Sequence, residues 1–357
     1  MFTVDAVLSL LDKNITTELV CFPESRIHNE AHKKGIKTIP VKASGYFHPS
    51  EILRLSRIIK NNKYDIIHTQ ASKDLWVIVP ALNIVKSSIP LVLSKQLGSF
   101  IIKKDPLHQR LYNRVSAAFA ISNVIKKNLI ETTNLPESRI FVVHNSVDVN
   151  RFDPARIDNK KVRREFNIQD DTLVIGMLAR FSPGKGHEEF LCAAGELLQR
   201  YNNLLFMIVG EASRGEDQYA NKIKKMSKEL LIEDKLIFAG FRSDIPEVLA
   251  AMDIFAFPSH SEAFGIALAE AMSMAKPTVC SDSDGVLDIA VDNSTSFLFK
   301  NQDCNDLQIK LNKLITSPEL RKQFGIEARK RIVENFNTGH LIEKTIKIYN
   351  TLIESNN

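Results

Sequence analysis

The chain has 357 residues, 44% hydrophobic and 25% charged, with a formal net charge of +5. That is the composition of a globular protein long enough for two domains with ample cores, and no apolar run approaches the 18 or so residues of a transmembrane helix. The charge is uneven: residues 1–150 hold 20 Lys/Arg against 12 Asp/Glu, a balance of +8, and the remainder holds 27 against 30, a balance of −3.

The predicted elements alternate. Residues 1–11 read as a helix, 18–22 as a strand and 26–34 as a helix. The segment 38–41 is short and apolar, 49–61 is helical, 64–69 a strand, and 73–85 a helix. Strands follow at 90–94 and 117–122, a helix at 123–132, and a strand at 139–143. Strand and helix in turn imply a parallel sheet covered on both faces. Between two of these strands lies 101–114, Ile-Ile-Lys-Lys-Asp-Pro-Leu-His-Gln-Arg-Leu-Tyr-Asn-Arg. It mixes basic and apolar residues and is the best candidate for a contact with an anionic membrane surface. The plainer reading is an amphipathic helix packed on its own sheet. Aromatics do not interleave with the basic residues, so nucleic acid is not an expected partner.

The segment 145–163 breaks the pattern with Asn, Asp and Pro, and the interdomain linker is placed there. The second half repeats the logic, with strands near Leu173, Leu204, Lys235, Asp253, Pro277 and Ser296. Helices are expected at 306–315, 318–336 and 338–353. The domains expected are 1–150, 151–335 and a final helical segment, 336–357. The four cysteines, Cys21, Cys192, Cys280 and Cys304, show no metal or redox spacing, and reduced thiols in a cytoplasmic protein are expected. Residues 1–20 lack a basic start and a cleavage site, so no secretory leader is expected.

Two segments carry chemistry. In the first, the apolar run 173–179 leads into Arg180-Phe181-Ser182-Pro183-Gly184-Lys185-Gly186-His187 and then a helix. Arg180 and Lys185 would stand beside a helix N-terminus, where a planar fork and a point charge can neutralise a diphosphate. The Gly-x4-Gly-Lys-Ser/Thr order of a P-loop is absent. In the second, a strand ending at Pro258 leads into Ser261-Glu262-Ala263-Phe264-Gly265-Ile266 and a helix holding Glu270. Glu262 stands before the turn, and Glu270 is placed about two turns later on the same side. The N–H groups around Phe264, Gly265 and Ile266 would face a ligand. Two acids so spaced suit a polyhydroxylated, phosphate-bearing ligand such as a nucleotide sugar. The plain alternatives are a solvated basic loop and a helix with one surface acid and one capping acid.

With these segments, Val209-Gly210-Glu211, 238–241 and Val143-His144-Asn145-Ser146-Val147-Asp148 with Phe152, in that family's order, the chain resembles the group 1, or family four, nucleotide-sugar glycosyltransferases of GT-B fold. The resemblance implies two Rossmann-like parallel-sheet domains facing a cleft, with the last helix crossing back onto the first domain. It implies transfer from a nucleoside-diphosphate sugar to a glycan or lipid-linked acceptor, with retention at the anomeric carbon, in cell-surface glycan synthesis of the lipopolysaccharide or capsule type. Arg180 and Lys185 would hold the diphosphate, Glu262 and the Phe264–Ile266 amides the sugar, and Glu270 the ribose. Arg180, Lys185 and Glu262 are the catalytic candidates. No metal and no cofactor beyond the donor co-substrate are expected, and the base is left open. The implied location is the cytoplasm, with the basic half as a peripheral membrane contact.

Departures from the family pattern matter. The family's first strand and Gly-rich loop are missing, since 1–11 already reads as the following helix; a start upstream of Met1 is expected. Lys95 or Gln96 falls where the family often has a histidine. His68 is a weaker cleft candidate, more in keeping with a hydrogen-bonded structural residue. Asp284-Gly285-Val286-Leu287-Asp288 replaces the usual Gly-Gly. A non-catalytic sugar-binding or scaffolding paralogue and a nucleotide-sugar epimerase are the competing readings.

Overall fold

The computed structural model describes residues 2–43, 46 and 48–356. The chain divides into two compact units, one of residues 1–144 with 338–357, the other of residues 145–337.

In the first unit the elements are α1 (Phe2–Asp12), β1 (Leu19–Cys21), α2 (Arg26–Lys33), β2 (Thr38–Pro40), α3 (Pro49–Asn61), β3 (Ile67–Thr69), α4 (Leu75–Ile84), β4 (Leu91–Lys95), α5 (Pro106–Asn113), β5 (Ala117–Ala120), α6 (Asn123–Thr132) and β6 (Ile140–Val142). Among the described residues β1 pairs with β2, and β3-β4-β5-β6 form a separate sheet; every pairing is parallel. The Tyr64 hydroxyl donates to the Glu18 carboxylate at 2.7 Å, tying the approach to β3 to the approach to β1. Strands β4 and β5 are buried throughout, as a parallel sheet covered on both faces requires. Their helices start on sequence-local caps. Ser122 accepts from the Ile125 amide at 3.3 Å and Asp105 from the His108 amide at 3.2 Å, each satisfying an orphan donor of the first turn.

The second unit holds α7 (Lys161–Glu165), β7 (Leu173–Leu178), α8 (His187–Leu198), β8 (Leu204–Val209), α9 (Asp217–Glu229), β9 (Leu236–Phe238), α10 (Ile245–Ala251), β10 (Ile254–Phe257), α11 (Ile266–Ser273), β11 (Thr278–Ser281), α12 (Val286–Ile289), β12 (Ser296–Phe299), α13 (Cys304–Thr316) and α14 (Pro318–Asn335). Its parallel sheet runs β12-β11-β10-β7-β8-β9. The chain thus winds outward from β7 in one direction, then returns to the middle and winds outward from β10 in the other. The core gathers Ile175 and Met177 of β7, Phe206 and Ile208 of β8, Ile254 and Ala256 of β10 and the inner faces of α8 and α13.

Three sequence expectations meet a different arrangement here. The segment 145–163 is not a free linker. Val147 donates its amide to the Phe336 carbonyl at 2.8 Å, Phe152 is buried, and the Phe152 carbonyl accepts from Ser273 and from Arg329, both at 2.9 Å. At the end of the segment Arg163 reaches the Asp253 carboxylate at 2.6 Å and closes the start of β10. Cys192 and Cys304 are disulfide-bonded, with Cα atoms 6.1 Å apart, whereas Cys21 and Cys280 are free. The two partners lie 112 residues apart and meet because α8 packs on α13, a proximity no spacing rule encodes. The helical part of 101–114 begins only at Pro106, since Asp105 caps it and proline fits the first turn.

The final helix, α15 (Thr338–Glu354), belongs to the first unit. Ile348 and Tyr349 pack with Val92, Ala117, Phe119 and Val143 over the β4–β5 strands. No helix among the described residues is long and apolar enough to cross a membrane.

Candidate functional site

The strand order of the second unit reverses between β7 and β10. At such a switch point the loops beyond the carboxyl ends of the two strands diverge and leave a crevice between them. The loop after β7 carries Arg180 and Lys185, and the loop after β10 carries Glu262 and Gly265. Both candidate segments therefore lie at one end of two neighbouring strands.

The two loops are held against each other by backbone that tolerates no side chain. Gly186 opens α8 at φ +78°, and a Cβ there would stand 2.1 Å from the Pro258 carbonyl oxygen. The His260 amide donates to the Gly184 carbonyl at 2.9 Å. Gly265 opens α11 at φ +103°, a left-handed conformation that lets the helix begin only after Glu262. The acid pair is thus not carried on one helix: Glu262 lies in the loop and Glu270 in the second turn of α11. A third loop joins them. The Gly285 amide donates to the Glu262 carbonyl at 2.9 Å, and a Cβ on Gly285 would meet the Ala263 oxygen at 2.5 Å. Ser261 is hydrogen-bonded to Asp284.

Lys185 is not a free solvent-facing cation. Its Nζ pairs with Glu262 Oε1 at 2.6 Å, both side chains being about one-fifth exposed, and Ser259 Oγ donates to the same carboxylate oxygen at 2.8 Å. Arg180 is exposed, and its charge helps hold the Glu216 carboxyl low, after a hydrogen bond from Ser182. Phe264 is buried, its ring 5.9 Å from that of Phe336, so only its backbone can serve a ligand; Ile266 is exposed. Glu270 is half-buried, and burial pushes its carboxyl up to about 7 against the pull of nearby Arg151.

Sequence reasoning missed several members of this group. Ser259 bridges the loops, His260 bonds to Glu189 at 2.9 Å, and Asn301 donates to the His260 carbonyl at 2.8 Å. The signal for Ser259 was present, since it directly follows the strand-ending Pro258. His187 belongs to the core, stacked 4.7 Å from the Phe181 ring and held down to about 4 by burial. In the first unit, Lys95 is buried at the end of β4 with its ammonium 3.4 Å from Ser72 Oγ, while Gln96 is half-buried. Burial, with Lys103 nearby, brings the Lys95 amine down to about 8. His68 is bonded on both ring nitrogens, to Tyr349 and at 2.8 Å to Ser94, and burial brings it down to about 4.

Two parallel-sheet Rossmann-like units with these loops place the protein in the GT-B class, and a glycosyltransferase structure from Rickettsia africae matches it with a TM-score of 0.89 at 23% identity, over 99% of this chain and 94% of that one. Residues 158–331 match the family Glycosyl transferases group 1, and residues 2–151 match Glycosyltransferase Family 4. The chain belongs to the group 1, family 4 glycosyltransferases, which use nucleotide-sugar donors. It is 25% identical to the capsular polysaccharide biosynthesis glycosyltransferase CapM of Staphylococcus aureus, over 66% of this chain but only 61% of that protein. It is 26% identical to the N,N'-diacetylbacillosaminyl-diphospho-undecaprenol alpha-1,3-N-acetylgalactosaminyltransferase of Campylobacter jejuni, over 94% of this chain and 91% of that protein.

Proposed function

We propose that this protein is a retaining, metal-independent hexosyltransferase that extends a lipid-linked glycan during synthesis of a cell-surface polysaccharide, working at the cytoplasmic face of a membrane. The observation that carries the reading is the Lys185–Glu262–Ser259 cluster at the switch point between β7 and β10. The Campylobacter relative, named for a diphospho-undecaprenol acceptor, supports the lipid-linked substrate.

Breaking a sugar–diphosphate bond builds negative charge on the leaving phosphate and positive character on the sugar. Arg180 and Lys185 meet the first demand. Each such donor, already oriented, contributes on the order of ~3 kcal/mol to the transition state. An arriving diphosphate competes with Glu262 for Lys185, which frees the Glu262 carboxylate to accept from sugar hydroxyls. The amides at the start of α11, from Phe264 to Ile266, hold the sugar from the other side. Glu270 meets the ribose hydroxyls; protonated, its carboxyl both donates and accepts. With no second carboxylate assigned as a nucleophile, attack comes from the face the phosphate leaves, which retains the anomeric configuration.

The test supplies a panel of nucleoside-diphosphate hexoses with a polyprenyl-diphosphate-linked sugar. Expected are acceptor-dependent release of nucleoside diphosphate and a product one hexose heavier, α-configured by NMR. Tight donor binding by calorimetry with no release would instead make the chain a non-catalytic binder. Interconversion of the donor sugar without acceptor would make it an epimerase.

A further inference from the structure

In the first unit the chain between β4 and α5 carries its apolar side chains outward. Phe100 is 107% exposed, and Ile101 and Ile102 are 69% and 67% exposed. Leu107, at the start of α5, is likewise exposed. Such exposure is not that of a loosely hung loop. The Ser99 amide donates to Asn128 Oδ1 at 2.8 Å, and Asn128 Nδ2 donates to the Ser99 carbonyl at 2.9 Å. Four residues on, the Lys103 amide donates to the Thr132 carbonyl at 2.7 Å. Helix α6 therefore grips the loop at both ends. The three residues between the clamps face away from every hydrophobic core, at the cost of leaving apolar area in water.

The surroundings say what covers it. Lys104 and Arg110, in the residues that follow the triplet, are exposed, whereas Lys103 is half-buried with its amine against that of Lys95. Next along the surface, His108 of α5 stands edge-on to Trp76, 5.4 Å between ring centres, and Trp76 stands edge-on to Tyr46 at 5.5 Å. Lys73 lies over the Tyr46 ring at 5.8 Å. A protruding apolar triplet, followed by an exposed Lys and Arg and by a Trp–Tyr pair, has the chemistry of a bilayer interface. Apolar tips enter the acyl boundary, aromatic rings lie at headgroup level, and cations meet anionic phosphates. The core of a protein–protein contact is depleted in lysine, which argues against a second copy as the occupant.

We infer that Phe100, Ile101 and Ile102 form a membrane wedge that docks the first unit on an anionic bilayer, with Lys104 and Arg110 as its cationic contacts. The wedge belongs to the first unit and the donor-site loops to the second, and the inference does not depend on the transferase reading. Docking would bring the first unit to the surface where a lipid-linked substrate resides.

The experiment uses the full chain and phosphatidylcholine vesicles with and without 30% phosphatidylglycerol. Trp76 is the only tryptophan of the chain, so its emission reports on this surface alone. Expected are co-sedimentation with the anionic vesicles, a blue shift of the emission, and quenching by brominated lipid. F100S/I101S/I102S should weaken partitioning at least about tenfold at every salt concentration, in keeping with loss of three buried apolar side chains. K104E/R110E should weaken it about tenfold at low salt, with the difference vanishing at high salt. Circular dichroism and resistance of the first unit to limited proteolysis check that both variants fold. Failure of the wild-type chain to bind anionic vesicles, or unchanged partitioning of the triple variant, would overturn the inference. So would a concentration-dependent dimer that the triple variant abolishes, because the surface would then belong to a second copy.

Discussion

Lys185 pairs with Glu262 in the fold and is also the cation we propose for the diphosphate, and the consequence separates it from Arg180. In Lys185→Ala the half-buried Glu262 loses its partner, which costs about 1–3 kcal/mol of stability as well as diphosphate affinity. Arg180 is exposed, so Arg180→Ala should weaken diphosphate binding with an unchanged melting temperature. Calorimetry and a thermal scan of the two variants check this; equal melting temperatures would show the Lys185–Glu262 pair to be energetically idle. Glu270 yields a prediction about pH. Its folded pKa, about 7, lies above its unfolded value near 4.5, so the folded state binds the extra proton between those limits. Ionising Glu270 therefore subtracts stability as pH rises from 4.5 to 7, and the deficit stays constant above 7. Glu270→Gln should match the wild type below pH 4.5 and exceed it in melting temperature above pH 7. Parallel profiles across that window would refute the burial of this carboxyl.

At the scale of elements, the period of apolar residues and the cap residues carried most of the information. The helix read at 49–61 is found at Pro49–Asn61, and that at 123–132 at Asn123–Thr132, because Pro at a first turn and Ser122 as a cap mark their starts locally. How elements meet was not legible. The pairing of Cys192 on α8 with Cys304 on α13 is the clearest case. Closing a loop of that length stabilises by about 4–5 kcal/mol in the chain-entropy account, an upper figure for a native cross-link. Reduction by dithiothreitol should lower the melting temperature of the wild type and leave Cys192→Ser unmoved. A reductant effect of equal size in both would assign it to some other cause.

At the scale of the whole molecule, the chain folds its two ends into one unit: residues 338–357 join residues 1–144. Ile348 and Tyr349 complete the core formed by Val92, Phe119 and Val143, and Tyr349 is one of the two partners of the half-buried His68. Ending the chain at Asn337 would strip about 3–6 kcal/mol of apolar burial from the first unit, enough to unfold a marginally stable domain. Limited proteolysis of residues 1–337 should therefore digest the first unit and leave a resistant fragment near 145–337. An undigested first unit would show α15 to be dispensable. Two histidines with lowered pKa add an acid limit. His68 and His187 are held near 4, below their unfolded value of 6.5, so the unfolded chain takes up protons first as pH falls.

The sequence by itself determined the alternation of strands and helices, the parallel sheets and the two loops that carry Arg180, Lys185, Glu262 and Glu270. Those follow from periodicity, proline, glycine and cap residues, all short-range signals. Only the tertiary structure decided that the two loops leave neighbouring strands at a switch point, that Lys185 is paired with Glu262, and that Glu270 lies where burial raises its carboxyl. It also decided that Cys192 meets Cys304 and that α6 clamps three apolar residues outward. Each of these depends on which distant segments pack together, and burial and pairing are properties of that packing. A residue's neighbours along the chain constrain its backbone; its neighbours in space set its charge, its exposure and what it can bind.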